Sequence, residues 1–186
     1  MSETDEALYR RYLAEDNDAD LEALLVRHRD GLLLFLFSFV HSNEDAEELL
    51  MDTFAKLAVD KPAFHPRFPG SFKSWLYAIA RNNARMYLRK WKTHAVPMHE
   101  NIPAGGEVPE TALLKDESNR LLYQAMEGLK PEYRRALTLL YFDGLSHDEI
   151  ALAMGMRKGQ IYSILKHGKE TLKKALEGMG ISDAQY

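Results

Sequence analysis

The sequence predicts an all-α fold of two small helical domains joined by a flexible linker, and three observations lead to this prediction. Apolar residues recur at helical spacing along most of the chain. Residues 93–110 lack any periodicity and contain three prolines and two adjacent glycines. Charge also falls into separate blocks along the chain. We therefore divide the chain into a domain at 1–92, a linker at 93–110 and a domain at 111–186.

The composition excludes several classes of protein. The chain has 186 residues, enough to bury a real core, and no cysteine, which excludes disulfides and cysteine zinc sites. Its start, MSETDEALYRRY, is no signal peptide, and its longest apolar run, Leu32 to Val40, is shorter than the about 20 residues that span a bilayer. His94 and His99 have no partners at metal-ligand spacing. We expect a cytoplasmic protein with no membrane insertion, no metal and no cofactor.

The formal net charge of −4 conceals two basic islands in an acidic chain. Residues 1–70 carry a net −8 and residues 93–156 a net −5. Residues 71–92 carry +6 and residues 157–186 carry +3. This distribution fits a protein with two nucleic-acid contacts and other surfaces for other partners.

Three helices are predicted before the first basic island: Asp5 to Leu13, Ala19 to Val40 and Glu44 to Val59. The second has a wide apolar face and is expected at the centre of the core. Ser42 and Asn43 are candidate caps of the third helix. On that helix Asp45, Glu48 and Asp52 are three and four residues apart, which places them on one outward side. Such an acidic stripe is either a solvated face or a docking surface for a basic partner.

The first basic island is predicted to be one long helix from Ser71 to Lys92, because no proline or glycine interrupts it. It follows a loop at Asp60 to Gly70, which contains three prolines. Apolar residues gather on one broad face of the helix: Phe72, Trp75, Leu76, Ile79, Ala80, Met86 and Tyr87. Basic residues form a stripe on the other face, with Asn82 at the edge: Arg81, Arg85, Arg89 and Lys92.

The basic stripe favours nucleic-acid binding over a purely solvated face. The helix carries six basic residues and no acidic one, whereas a face that serves solubility usually mixes both signs. Cations at this spacing suit phosphates, and exposed aromatic rings beside them suit unstacked bases. A solvated basic face on an ordinary core helix is the alternative interpretation.

The second domain has the pattern of a helix-turn-helix. Four helices are predicted: Glu110 to Glu127, Pro131 to Phe142, Ser146 to Met154 and Lys158 to Leu176. Ser146 and Glu149 form a capping box at the start of the third, and Gly155 makes the turn to the fourth. In this motif the second helix places its early residues in the major groove. The same layout also occurs in proteins that bind no DNA.

At these residues the chain resembles bacterial sigma factors of the sigma-70 family, in the extracytoplasmic-function (ECF) group. The strings that carry the resemblance are DAEEL at 45–49, SWLY at 74–77, IARN at 79–82, LKPE at 129–132, GLS at 144–146 and EIA at 149–151. The resemblance covers nearly the whole chain. It implies binding to bacterial core RNA polymerase and to promoter DNA, with inhibition by an anti-sigma factor. It also implies that residues 61–70, with Asn82 nearby, capture a base flipped from the nontemplate strand.

The resemblance assigns three sets of site residues. The polymerase-binding set is Asp45, Glu48, Leu49 and Asp52. The set that binds the minus-ten element is Lys73, Trp75, Arg81, Asn82, Arg85, Arg89, Lys90 and Lys92. The set that binds the minus-thirty-five element is Arg157, Lys158, Gln160, Tyr162, Ser163, Lys166, His167 and Lys169.

Several residues depart from the family pattern. Met51 stands where the family commonly has Gln, Met86 where it has Asp, Ile164 where it has Arg and Gly168 where it has Ala. A basic residue is also replaced by Tyr162. We infer an altered upstream promoter element, or weaker reliance on it; a strong standard upstream preference in a base-by-base substitution assay would contradict this hypothesis.

Three other functions remain open. An ordinary helix-turn-helix regulator would account for residues 129–176 but would leave the basic helix without a role. A sigma-like interaction protein would titrate an anti-sigma factor and bind no promoter. An enzyme is disfavoured, because the sequence has no nucleophile–base pair, no P-loop, no metal-ligand spacing and no other feature that points to a small-molecule substrate.

Overall fold

The computed structural model describes residues 3–94 and 107–181, and all its regular structure within them is helical. Eight α-helices are present in these two ranges: α1 Asp5–Glu15, α2 Asp18–Val40, α3 Asn43–Asp60, α4 Ser71–His94, α5 Glu117–Met126, α6 Pro131–Tyr141, α7 His147–Met154 and α8 Lys158–Gly178. We call α1–α4 the N-terminal bundle and α5–α8 the C-terminal bundle. The predicted all-α fold is confirmed.

Side-chain caps explain where the helices of the N-terminal bundle begin. The Thr4 hydroxyl accepts from the Ala7 amide, the Asn17 side chain from the Ala19 amide, and the Ser42 hydroxyl from the Asp45 amide. Helix α2 is buried around its whole circumference from Leu32 to Val40 and packs against α1, α3 and α4. It is therefore the central helix of this bundle, as its wide apolar face predicts.

The C-terminal bundle starts later than the sequence predicts. Instead of a helix from Glu110, the chain forms a short 3-10 helix at Ala112–Leu114, and α5 begins at Glu117. The carboxylate of Asp116 accepts from the amides of Ser118 and Asn119 and so caps α5 at this point. A strong N-cap inside an otherwise helical pattern therefore places the start of α5 seven residues later than predicted.

The helix-turn-helix is present as predicted. Ser146 caps α7, and its backbone amide donates in return to the Glu149 carboxylate, which completes the capping box. Gly155 ends α7 in the left-handed conformation, with φ of 63°. The turn then passes directly into α8, whose buried side chains pack on α5, α6 and α7.

The two bundles pack against each other. Helix α7 lies along α4, and α6 contacts α2, so that buried apolar residues of both bundles form one continuous cluster. Of the predicted linker at 93–110, residues 95–106 lie outside the described ranges. The boundaries 1–92 and 111–186 stay predictions.

Two further properties concern only the described helices and side chains. None of these helices is long and apolar enough to cross a membrane. No group of three or more His, Asp or Glu side chains in residues 3–94 and 107–181 is placed to hold a metal ion.

Candidate nucleic-acid interface

A cluster of four aromatic rings holds α4 against α1 and against the loop that precedes α4. The Trp75 ring lies 5.3 Å from Tyr9, 5.2 Å from Phe64 and 5.4 Å from Phe72, measured between ring centroids. The Tyr9 hydroxyl donates to the Pro62 carbonyl oxygen at 2.8 Å and ties the preceding loop to α1. Trp75, predicted to contact the minus-ten element, is thus half-buried and supports the loop at 61–70.

The basic stripe of α4 is only partly open to solvent. Asn82, Arg85 and Arg89 are exposed, as predicted for an outward face. Arg81 is half-buried, and burial together with the charge of Arg85 lowers the pKa of its guanidinium. The side chain of Lys92 lies outside the described part of the structure.

Lys73 and Tyr77 contact the C-terminal bundle through Asp143, in the loop between α6 and α7. The Lys73 ammonium lies 3.0 Å from both Oδ1 and the backbone carbonyl oxygen of Asp143. The Tyr77 hydroxyl donates to the same Oδ1 at 2.8 Å. Burial raises the pKa of Tyr77 well above its usual value, and Asp143 raises it further. Tyr77 therefore stays a neutral donor to this carboxylate.

Arg81 makes a second contact across the bundles, at the turn of the helix-turn-helix. Its Nη1 donates to the Ala153 carbonyl oxygen at 2.8 Å, near the C-terminus of α7. The site requires Gly155, because a Cβ there would lie 2.3 Å from Nη1 of Arg81. The turn glycine thus provides both a left-handed backbone and space for the arginine.

A groove of about 380 Å³ between α3 and α4 contains part of the predicted polymerase-binding set. Asp52 lies on its wall, whereas Leu49 is only 2% exposed and forms part of its floor. Glu48 is exposed, and Asp45 is half-buried beside Tyr87, whose pKa is raised by burial and by this carboxylate. The groove itself is lined by apolar residues, by the two carboxylates Asp52 and Asp60, and by the two lysines Lys56 and Lys90.

Met86 and Lys90 of α4 both line this groove. Met86 is 47% exposed and lines the groove, so its prediction as a core residue is wrong. Lys90, predicted to bind the minus-ten element, lines the same groove beside Asp52 and Asp60. Both lie on the side of α4 that faces α3, which helical periodicity alone does not distinguish from the core side.

All eight residues of the predicted minus-thirty-five set are exposed on α8 or at its start. The Lys158 ammonium pairs with the Asp148 carboxylate at 2.9 Å, which raises the pKa of Lys158. The Tyr162 ring packs edge-on against His147, with 4.5 Å between ring centroids, and is still 51% exposed. No contact to α4 covers this face in the described structure.

Two residues of α8 that depart from the family pattern have a structural explanation. Gly168 is buried against α6, where a Cβ would lie 3.3 Å from Cδ1 of Leu137 and 3.4 Å from Cβ of Tyr133. The glycine therefore allows α8 to approach α6 closely. Ile164 is half-buried and packs against the core, which fits its apolar side chain.

Sequence reasoning missed the contacts between the bundles. Arg135 is the third of them: its Nη2 donates to the Ser38 carbonyl oxygen at 3.2 Å, and its guanidinium lies 3.8 Å from the centre of the Phe39 ring. Burial and the nearby Arg134 and Arg85 lower the pKa of Arg135 to about 10. One signal in the sequence is a glycine inside the apolar α2, Gly31, where a Cβ would lie 2.2 Å from Oδ1 of Asp143.

Comparison with known proteins matches both bundles to one family. The family model for sigma-70 region 2 matches residues 24–93, and that for sigma-70 region 4 matches residues 119–172. The RNA polymerase sigma-H factor of Pseudomonas aeruginosa is 30% identical over 94% of this chain and 95% of its own length. The ECF RNA polymerase sigma-E factor of Escherichia coli K12 is also 30% identical, over 95% of this chain and 97% of its own.

Solved structures share the fold. CnrH in complex with the cytosolic domain of CnrY matches with a TM-score of 0.65 and 20% identity, over 95% of this chain and 99% of that chain. The sigma factor RpoE in complex with the anti-sigma factor NepR, from Bartonella quintana, matches with a TM-score of 0.61 and 22% identity, over 85% and 97%. Since relatives at 30% identity extend over nearly the whole chain, this protein belongs to the ECF group of the sigma-70 family of RNA polymerase sigma factors.

Proposed function

We propose that this chain binds bacterial core RNA polymerase, directs it to promoters and initiates transcription. The observation that carries the proposal is the presence of two basic helices, α4 and α8, in a chain that matches sigma-70 regions 2 and 4. An ordinary helix-turn-helix regulator would use α8 and would leave the basic helix α4 and the acidic stripe of α3 unexplained. The function needs no covalent chemistry by the protein, no cofactor and no small-molecule substrate, and it takes place in the cytoplasm with the polymerase.

Each surface has a distinct task in this proposal. The groove between α3 and α4 takes an apolar segment of the polymerase, with basic side chains of the partner facing Glu48 and Asp52. Arg85, Arg89 and Asn82 of α4 bind the minus-ten element as it opens. Binding of unstacked bases offsets a cost of about a few kcal/mol for each base removed from the duplex.

Helix α8 reads duplex DNA at the minus-thirty-five element. Its exposed Gln160 and Ser163 are placed to reach base edges, and Lys166 and Lys169 are suited to phosphates. The exposed Tyr162 adds an apolar ring to the same face, where the family commonly has a basic residue. We also propose that an anti-sigma factor restrains the chain, because the matched RpoE structure contains such a partner.

A reconstituted transcription assay tests this function. Purified chain and bacterial core polymerase are combined with a pool of random promoter fragments, and new transcripts are sequenced. We expect starts that share two spaced upstream elements. Polymerase binding without new starts would favour the interaction protein that titrates an anti-sigma factor. Duplex binding by the chain without polymerase binding would favour the ordinary regulator.

A further inference from the structure

The contacts between the two bundles involve residues that the proposed function needs for promoter binding. Lys73 and Arg81 both belong to the predicted minus-ten set, and both donate to groups of the C-terminal bundle. Helix α7 lies along α4 beside them. In this arrangement the hydrogen bonds of these two cations go to the C-terminal bundle, and both side chains are only partly exposed.

Asp143 is the centre of this contact. Its side chain is only 4% exposed, between α2 and α4 of the other bundle. One oxygen, Oδ1, accepts from Tyr77 and pairs with Lys73. The Asp143 side chain thus sits in a socket formed by Gly31, Lys73 and Tyr77. Gly31 leaves room for it, because any Cβ there would overlap both Oδ1 of Asp143 and the Tyr77 hydroxyl. The socket thus needs a glycine, a tyrosine, a lysine and the inserted aspartate together.

The same interface contains buried polar groups that favour its opening. Oδ2 of Asp143 and Nε of Arg81 are both buried without a hydrogen-bond partner. Arg135 places its buried charge against the Ser38 carbonyl oxygen and the Phe39 ring, and burial lowers the pKa of its guanidinium. Buried polar groups without partners cost free energy that hydration recovers, so separation of the bundles is favoured more than it would be at an apolar interface.

From these contacts we propose that the C-terminal bundle acts as an intramolecular inhibitor of α4, held in place by the insertion of Asp143 between Gly31, Lys73 and Tyr77. The free chain keeps two of its minus-ten cations, Lys73 and Arg81, bound to the C-terminal bundle while the DNA-binding face of α8 stays open. Promoter binding by α4 requires withdrawal of Asp143 from its socket. The inhibitory role, but not the closure itself, rests on the proposed function of α4.

Two labelled cysteines measure the closure directly, because the chain has no cysteine of its own. Glu22→Cys in α2 and Lys173→Cys in α8 place one exposed label on each bundle. Asp143→Ala and, separately, Arg135→Ala are introduced into this background. Asp148→Ala is the matched control, because it removes an exposed aspartate–lysine pair within the C-terminal bundle. Circular dichroism verifies that helical content is unchanged.

We expect Asp143→Ala and Arg135→Ala to lengthen the distance between the labels in the free chain, and Asp148→Ala to leave it as in the wild type. A fluorescent single-stranded DNA of mixed sequence should bind Asp143→Ala at least about tenfold more tightly than wild type, since affinity scales with the open fraction. Unchanged distances in both variants would overturn the closure. Longer distances without tighter DNA binding would overturn the inhibitory role, whereas failure of the proposed function would appear separately, as loss of transcription with wild-type chain.

Discussion

Helices α4 and α8 carry the two basic faces of this chain, but the two faces differ in accessibility. On α8 every predicted DNA-binding residue is exposed. On α4, Lys73 and Arg81 are bound to the other bundle, whereas Asn82, Arg85 and Arg89 are exposed. The face proposed for duplex recognition is thus open on α8, whereas two of the cations proposed for strand capture on α4 are bound to the other bundle.

The largest expected effect separates the roles of the two helices. In holoenzyme, the pair Arg85→Ala and Arg89→Ala should lower promoter opening by about tenfold or more per arginine, because each charged contact contributes about 1.5–3 kcal/mol. The pair Lys166→Ala and Lys169→Ala should weaken initial duplex binding and reduce the slope of log affinity against log salt by about 2. Arg10→Ala, an exposed cation of α1, is the control. If both pairs lowered promoter opening equally, α4 and α8 would not have the separate roles expected here.

The next effect concerns the contact between Asp143 of the C-terminal bundle and α4. Tyr77→Phe removes the hydroxyl that donates to Asp143 and leaves a buried carboxylate with one donor fewer, at a cost of about 1–3 kcal/mol. We expect the ratio of closed to open chain to fall about tenfold, as reported by labels on Glu22→Cys and Lys173→Cys. Tyr9→Phe is matched to it, because it removes a hydroxyl bound to Pro62 within the N-terminal bundle. If both phenylalanine variants gave the same distance, Tyr77 would have no part in closure.

A smaller effect depends on pH. Burial lowers the pKa of His41 below its usual value, and the nearby charges of Arg134 and Arg135 lower it further. The closed chain therefore binds fewer protons than the open one. The contribution of His41 to closure is therefore fully present above the ordinary histidine pKa of about 6.5 and is lost as the pH falls below it.

The label distance, followed from about pH 7.5 to pH 5, should lengthen in the wild type and change less in His41→Gln. Arg134 and Arg135 face His41 from α6, and Phe37 lies 5.9 Å away on its own helix. A distance that lengthens equally in both proteins would assign the pH dependence to another group.

The smallest expected effect concerns two glycines of α8. Gly168→Ala gains helix propensity of about 1 kcal/mol, but its Cβ would crowd Leu137 and Tyr133. We expect a net stabilisation below that value in thermal unfolding, because the Leu137 methyl group can shift. Gly159→Ala, with no atom within 4 Å, should retain its full gain. Equal gains at both positions would show that Gly168 is not needed for the close approach of α8 to α6.

Local features of the sequence predicted most of the fold. The capping box at Ser146, the turn at Gly155 and the uninterrupted basic helix all depend on residues close in the chain, and all are present. The exposed face of α8 was likewise predicted, because a helix on the surface of a small bundle has one core side.

Features that depend on distant residues could not be predicted. Periodicity placed Met86 in the core, but α3 leaves a groove at that point. It placed Arg81 on an outward stripe, but the C-terminal bundle covers it through Ala153. A helical pattern records which side of a helix is polar; it does not record whether a second bundle, seventy residues away, supplies polar partners to that side.

Cleavage from tethered reagents would test whether one chain uses these two helices on two promoter elements. An iron chelate is attached either to His65→Cys, in the loop before α4, or to Glu170→Cys, on α8, both exposed in a cysteine-free chain. In holoenzyme on a promoter we predict two separate cleavage clusters, with the α8 cluster farther upstream of the start. Cleavage of the same bases from both positions, or none from the loop before α4, would contradict the account.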